Sequence, residues 1–168
     1  MNIYLTTDTH FNHKKMIDDD IRPWDYEIKI RKGLMSLPED CVLIHLGDVS
    51  LGDEEEVSEL YIKPLKCKKW LIKGNHDGKS NKWYLEHGWD FVGKQLIDKY
   101  FGKKVLFSHK PIEFKEQYDI NIHGHFHDSD HRSQEPELLA IANRRQRLLA
   151  LEYTNYQPVK LEKFCYDL

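Results

Sequence analysis

Five short apolar runs punctuate the chain, and each breaks off in a polar or glycine-containing cluster. Asn2–Thr7 (NIYLTT) stops at Asp8, Cys41–Leu46 (CVLIHL) at Gly47-Asp48, and Lys69–Lys73 (KWLIK) at Gly74-Asn75-His76-Asp77. Lys104–Ser108 (KVLFS) stops at His109, and Ile120–Gly124 (INIHG) at His125. Short continuous apolar runs bounded by turn residues predict buried strands. Helical spacing appears between them. Tyr26, Ile30, Leu34 and Leu37 recur on one face until Pro38 ends the run. Val57, Leu60 and Tyr61 form a second face behind Asp53 and Glu56, an acidic variant of the capping box. Ser80 to His87, closed by Gly88, predicts a third short helix. Strand–helix alternation predicts an α/β architecture. The tail Arg147–Phe164 (RLLALEYTNYQPVKLEKF) alternates more like antiparallel strands, so a mixed sheet or two sheets are expected rather than one parallel sheet. No repeat, low-complexity tract or long linker interrupts the pattern, and a single domain over residues 1–168 is expected.

Composition narrows the class. A hydrophobic fraction of 40% with 32% charged residues is that of a globular protein. The net charge of −3 advertises no nucleic-acid or membrane surface, although a locally basic site could still take a nucleotide or a nucleic-acid end. No run of about 18 apolar residues predicts a membrane span. The start MNIYLTTD lacks the basic and apolar regions of a signal peptide, so a cytoplasmic location is expected. Cys41, Cys67 and Cys165 are odd in number and far apart, which favours reduced core thiols over a disulfide framework or a thiolate metal site. The unusual count is ten histidines, three of them packed into INIHGHFHD, Ile120–Asp128.

In open α/β sheets, ligands gather at the carboxyl ends of strands, where the polar clusters lie. The five ends supply Asp8 and His10; Asp48; Asn75, His76 and Asp77; His109; and His125 and His127. Carboxylates, an amide and imidazoles suit Mn²⁺, Fe, Zn²⁺ or Ni²⁺ better than the all-oxygen shell of Ca²⁺. They are too many for one tetrahedral ion and about right for two. A lone aspartate or asparagine at a strand end is usually a turn former or helix cap. That reading fits one such residue well and seven in register poorly.

The blocks D-T-H at Asp8–His10, G-D at Gly47-Asp48, G-N-H-D at Gly74–Asp77, S-H at Ser108-His109 and G-H-F-H at Gly124–His127 resemble, in the same order, those of the calcineurin-like metallophosphoesterase superfamily. DTHFNHKKMI, RPWDYEIKI, HLGDVSLG and TNYQPVKL are further similar to a small single-domain bacterial and phage-type subgroup, so the resemblance spans Asn2 to about Phe164. It implies a four-layer α/β/β/α sandwich of two mixed sheets flanked by helices. It also implies two divalent metal ions, manganese first among them, with Fe, Zn, Ni or Mg as alternatives. Asp8, His10 and His127 would hold the first, and Asn75, His109 and His125 the second. Asp48 would bridge both. The implied activity is hydrolysis of a phosphate ester by a hydroxide shared between the ions, with His76 donating a proton to the leaving oxygen and Asp77 fixing its tautomer. The superfamily spans nucleases, nucleotide phosphodiesterases and phosphatases, and the small chain favours a phosphodiester over a monoester. The rival class is a catalytically silent interaction scaffold of the same fold, as in a retromer subunit. Such a scaffold should lack His76 or a metal ligand.

Other residues carry open readings. Asn12 and His13 either touch substrate or start a helix. Arg22 either grips phosphate with its guanidinium fork or pairs with the preceding Asp18–Asp20. His45 and His123 read as satisfied core histidines. Asp128–His131 (DSDH) and Arg144–Arg147 (RRQR) read as solvated loop and turn.

Overall fold

The computed structural model describes residues 2–114, 116–128, 135–141 and 144–166, the side chains at 139 and 141 excepted. The first sheet is formed by β1 (Asn2–Thr6), β2 (Cys41–His45), β3 (Lys68–Ile72), β4 (Phe91–Gly93) and β9 (Val159–Lys160), in the order β4-β3-β2-β1-β9. β1 to β4 are parallel, and β9 closes the edge antiparallel to β1. The second sheet has the order β5-β6-β7-β8, from Gln95–Tyr100, Lys103–Ser108, Ile120–His123 and Gln146–Leu148. β5 runs antiparallel to β6, whereas β6, β7 and β8 are parallel. Both sheets are mixed, and helices flank them, as expected.

Alternation along the strands sorts side chains into two cores. Ile3 and Leu5 of β1, Val42 and Ile44 of β2, and Ile72 of β3 face Val105 and Phe107 of β6 and Ile120 and Ile122 of β7 between the sheets. Cys41 and Leu43 of β2 and Leu71 of β3 point the other way, onto Tyr26, Ile30, Leu34, Val57 and Tyr84 of the helices. Full burial of each such aliphatic or aromatic side chain contributes about 1.5–3 kcal/mol. All three cysteines are buried thiols.

α1 is a single turn, Lys15–Asp18, and α2 spans Tyr26–Met35, neither of them started by a side-chain cap. Side-chain caps start the next two helices. In α3 (Glu54–Val57) the Asp53 carboxylate accepts from the Glu56 N–H at 3.0 Å, and a π-turn continues the helix to Ile62. In α4 (Asn81–Glu86) the Ser80 hydroxyl accepts from Trp83 N–H, and Gly88 exits at φ +101°. α5 covers Pro136–Ile141.

The antiparallel pairing differs from the expected place. β5 and β6 form a hairpin whose two turn residues, Phe101 and Gly102, both have positive φ (52° and 76°), the backbone of a type I′ turn. β5 is half-exposed and charged, so it lacks an apolar run. The tail contributes only β8, parallel to β7, and the two-residue β9. The rest coils as 3₁₀ turns at Leu151–Thr154 and Leu161–Phe164. The cause is that Leu151 and Tyr156 bury in the helix-side core while Leu149 and Leu161 bury between the sheets. A chain that crosses between cores this often cannot stay extended. Gln146 and Arg147 therefore belong to a strand, not a solvated turn, and Arg145 stacks over Phe114 with 4.1 Å to the ring centre. On the outer face of the second sheet, buried Asn121 accepts from Ile112 N–H, which holds the connection after β6 against the sheet.

His45, at the end of β2, is a satisfied core histidine. Its Nδ1 accepts from Gly47 N–H at 3.1 Å, so Nε2–H donates to Thr9 Oγ1 at 2.9 Å, and that hydroxyl donates to Val49 O. Burial lowers its pKa from 6.5 to about 4, against the opposing charges of Asp8 and Asp48. The unfolded chain therefore binds one more proton between these values, and stability falls as pH drops from 6.5 through 4. The full loss attached to this one ring is about 3 kcal/mol. Urea midpoints measured over that window should fall less steeply in His45→Gln than in the parent protein. Identical slopes would show that the ring charges freely in the folded state.

Candidate metal centre

β1, β2 and β3 end on the same side as β6 and β7, so the five polar clusters converge where the two sheets' carboxyl edges meet. The chain leaves these strands through left-handed backbone at Asp8 (φ 47°), His10 (45°), Asp48 (56°), His125 (72°) and His127 (50°). These conformations are held by bonds between the exit turns. Asp8 N–H donates to Gly47 O, His10 N–H to Asp48 O, and Phe11 N–H to Val49 O.

The resulting side-chain geometry is directional. One Asp8 oxygen, Oδ2, accepts from Thr7 Oγ1 at 2.6 Å and from His125 N–H at 3.0 Å. The other, Oδ1, is buried with no hydrogen-bond partner among the described residues, and so are both nitrogens of His10. Asp8 Oδ1 lies 3.8 Å from His10 Nε2 and 3.7 Å from His127 Nε2. The second group gathers on Asp48. Its Oδ1 accepts from His76 N–H, leaving Oδ2 at 3.3 Å from His109 Nε2 and 3.9 Å from His10 Nε2. His109 Nδ1–H donates to Leu46 O, so Nε2 faces the site, 3.0 Å from Asn75 Oδ1 and 3.2 Å from His125 Nδ1.

Two sets thus form, Asp8–His10–His127 and Asp48–His109–His125, each with ligand atoms within 4.8 Å of one another. Metal–nitrogen and metal–oxygen bonds of about 2.0–2.2 Å place neighbouring ligand atoms about 3.0–3.5 Å apart. The observed 3.3–3.9 Å needs only a small contraction. Buried, unpartnered lone pairs at this spacing fit two divalent ions, with Asp48 Oδ2 within reach of both sets. The first set is already in its ligating form: burial lowers His10 to about 3, so its ring is neutral as a ligand must be. Burial pushes the Asp8 carboxyl up, but the imidazoles of His109, His127 and His10 outweigh it and hold the group far below the carboxylate range. At His109 burial is opposed by the hydrogen bond to Asp48 and the charges of Asp8 and Asp48, which together raise the ring to about 9. A divalent cation in the same place reverses that preference.

His76 sits at the mouth with 37% of its side chain exposed, Nε2 3.9 Å from Asp48 Oδ2. Two residues differ from the sequence reading. Asp77 does not touch His76. Its carboxylate accepts from the backbone N–H groups of Asp48, Val49 and Gly74 at 2.7–3.0 Å, which ties the second exit turn to the third. Arg22 is neither a phosphate fork at the surface nor a partner of Asp18–Asp20. Its guanidinium is fully buried, donates to Glu152 Oε1 and Asp8 O, and lies 3.0 Å from His127 Nδ1. Asn12 is engaged away from the metal ligands, through its N–H to Glu27 and its amide to Glu56. His13 packs its ring 5.3 Å from that of His10 and 6.5 Å from that of His76, on the rim. His123 is buried, with Nδ1 on Gly124 O. Asp128 is exposed, and 129–131 lie outside the described residues.

Three contributors carry no motif. Glu152 Oε1 lies 3.3 Å from His127 Nδ1 and orients that ring while neutralising Arg22. Glu135 pairs with His125 Nε2 and with Lys110 Nζ. Tyr26 OH donates to His10 O at 2.7 Å, fixing the turn that presents the ring. Orienting partners of this kind set ligand geometry and basicity.

The sequence profile described as calcineurin-like phosphoesterase matches residues 1–151. The chain belongs to that family. It is similar to an uncharacterized protein of Methanocaldococcus jannaschii, 28% identical over 95% of this chain and 87% of that one. It also superposes on a solved protein of unknown function from Aquifex aeolicus with a TM-score of 0.72, at 26% identity over 97% of each chain. The two ligand sets fit the dinuclear centre of calcineurin-like phosphoesterases.

Two substitutions test the construction. A Cβ at residue 124 would stand 2.0 Å from Thr7 Oγ1 and 2.4 Å from Asp8 Oδ2. Gly124→Ala should therefore displace the Asp8 carboxylate and reduce bound metal by about one ion per chain, at a stability cost of about 1–3 kcal/mol. Elemental analysis of metal-loaded protein reads the stoichiometry. Glu152→Gln leaves the Arg22 charge buried without its counter-charge and should cost about 3–5 kcal/mol in chemical denaturation. A cost within about 0.5 kcal/mol, the ordinary range of surface substitutions, would mean that the pair has no structural role.

Proposed function

We propose that the protein hydrolyses phosphate esters at a centre of two divalent metal ions, with manganese the leading candidate and a phosphodiester of nucleotide size the preferred substrate. The observation that carries this reading is the pair of inward-facing ligand sets joined at Asp48 Oδ2, with His76 exposed directly above them. Asp8, His10 and His127 would hold one ion. Asn75, His109 and His125 would hold the other, and Asp48 would contact both. Bound there, two such ions neutralise phosphate charge and lower the pKa of water towards about 7.

The chain's own groups supply the rest. His76, whose backbone N–H is anchored on Asp48 Oδ1, presents Nε2 over the centre and gives its proton to the leaving oxygen. Asp77 is a positioning residue. By gripping the N–H groups of Asp48, Val49 and Gly74 it holds the loop carrying Asn75 and His76 in place. Glu152 and Glu135 orient the outer nitrogens of His127 and His125, and Arg22 holds Glu152 in place. The cavity over the centre, about 300 Å³, is lined by His10, His13, Asp48, Asn75 and His76 and opens to solvent, which suits a diester with two substituents. The complete ligand set with His76 in place argues against a silent scaffold, in which a missing ligand would leave the remaining buried lone pairs uncompensated.

Metal-stripped protein given back Mn²⁺, Ni²⁺, Zn²⁺ or Mg²⁺ singly, and assayed on a generic phosphodiester and a generic monoester, decides the matter. Asp48→Asn should abolish metal-dependent turnover. His76→Ala should lower kcat by about 10²–10⁴-fold on a poor leaving group and far less on one that departs without a proton. Binding of fewer than two ions per chain at saturation would sink the dinuclear assignment. Two bound ions without cleavage of either ester would revive the scaffold.

A further inference from the structure

Beside the cavity over the two ligand sets lies a second hollow of about 540 Å³, and His13 belongs to the walls of both. Its other walls include the apolar Trp24, Ile17 and Ile28 and the polar Asn12, Lys14, Glu27 and Glu56. Trp24 is 75% exposed and Ile28 61%, a large apolar surface for side chains next to a catalytic mouth. The hollow is a poor place for a phosphate: against the single ammonium of Lys14 stand Glu27, Asp53 and Glu56, the first and last turned to Asn12, so an anion brought here would meet three carboxylates and one cation. What fits is flat, uncharged and able to donate hydrogen bonds to carboxylate oxygens.

The backbone on either side of Trp24 is tied to the candidate metal ligands. Two residues before it, Arg22 N–H donates to Met16 O, and its guanidinium is locked on Asp8 O and Glu152. Pro23 between them has a fixed φ. One residue beyond, Asp25 precedes α2, whose Tyr26 donates to His10 O. The exposed indole thus projects from backbone that is anchored to the framework of the site.

We infer that this hollow receives the base of a nucleotide-type substrate whose phosphorus lies over the metal centre, with Trp24 as the stacking face. The inference rests on the phosphoesterase reading and adds a specificity-determining residue to it. Aromatic side chains hold bases through their π-faces, and loss of one such platform typically weakens binding by about 10- to 100-fold. His13, on the shared wall, then stands where sugar joins phosphate, in keeping with an Nδ1 that is buried and unpartnered among the described residues.

The test compares adenosine 5′-monophosphate with ribose 5-phosphate and inorganic phosphate, each titrated calorimetrically into Mn²⁺-loaded protein. The nucleotide should bind at least 10-fold more tightly than ribose 5-phosphate. Trp24→Ala should erase that advantage and leave ribose 5-phosphate and phosphate unchanged, and Trp24→Phe should retain most of it. Equal binding of the nucleotide and ribose 5-phosphate by the parent protein would overturn the inference. So would an advantage that survives Trp24→Ala, or a Trp24→Ala protein that changes only its sedimentation mass, since the ring would then cover a subunit contact. Turnover of a generic diester in the same samples separates the two failures. Normal turnover without base preference refutes this subsite alone, whereas no turnover and no phosphate binding refutes the phosphoesterase reading beneath it.

Discussion

Carboxylate oxygens and imidazole nitrogens crowded into one buried space govern this structure. Asp8 Oδ1 and both nitrogens of His10 have no partner among the described residues, and Asp48 Oδ2 is surrounded by imidazole nitrogens at 3.3–3.9 Å. Buried polar atoms of this sort each cost about 1–3 kcal/mol when unmatched. They point inward because the chain turns left-handed at five ligand positions, a backbone that costs of order 1–3 kcal/mol wherever the residue is not glycine. Both costs are concentrated at one edge of the sheets, where a cation would relieve the first. The offset comes from elsewhere: two full hydrophobic cores and the backbone bonds that stitch the exit turns together.

Asp77 shows how that stitching works. Its single carboxylate accepts three N–H groups from two different exit turns, so the loops after β2 and β3 behave as one body. Gly74 permits their approach, since a Cβ there would lie 2.1 Å from Asp48 Oδ1. Arg22 does the same between β1 and the turn at His127, through Asp8 O and Glu152. Ligand direction is therefore fixed by residues outside the ligand sets.

The gathering of the candidate ligands was legible because the rule that places them is local. An apolar run followed by Asp, His or Asn marks a strand end, and parallel strands bring their ends together. The cap at Asp53 and the helix after Ser80 followed from the same kind of short-range chemistry. Glu152 was not legible. It meets Arg22 across 130 positions, and nothing in LALEYT distinguishes it from a surface carboxylate. Arg22 leaves two readings open in the sequence, phosphate fork or partner of Asp18–Asp20, because its chemistry is general and its burial is a tertiary fact. β5 escaped because a half-exposed hairpin strand needs only its turn, Phe101-Gly102, and a charged face. The tail misled because its alternation reflects two cores sampled in turn, not one sheet face.

The two sides of the centre are chemically unequal, and this bears on how any substrate must lie. Next to Asn75 and His109 a cleft of about 430 Å³ is bordered by Lys73, Lys94 and Lys110. Next to His13 the hollow is bordered by Trp24, two isoleucines, Lys14 and three carboxylates. A molecule with one anionic arm and one planar neutral arm is matched better in one orientation, because reversal sets the anion against a net excess of carboxylate and the ring against ammonium groups. Part of the lysine charge is already committed, Lys110 to Glu135 and Lys73 to Lys79 O. The attraction on that side is consequently diffuse and weakened by salt, whereas stacking on the indole on the other side is insensitive to it. Orientation would then be set by the aromatic side, with the lysines adding rate of encounter more than selectivity.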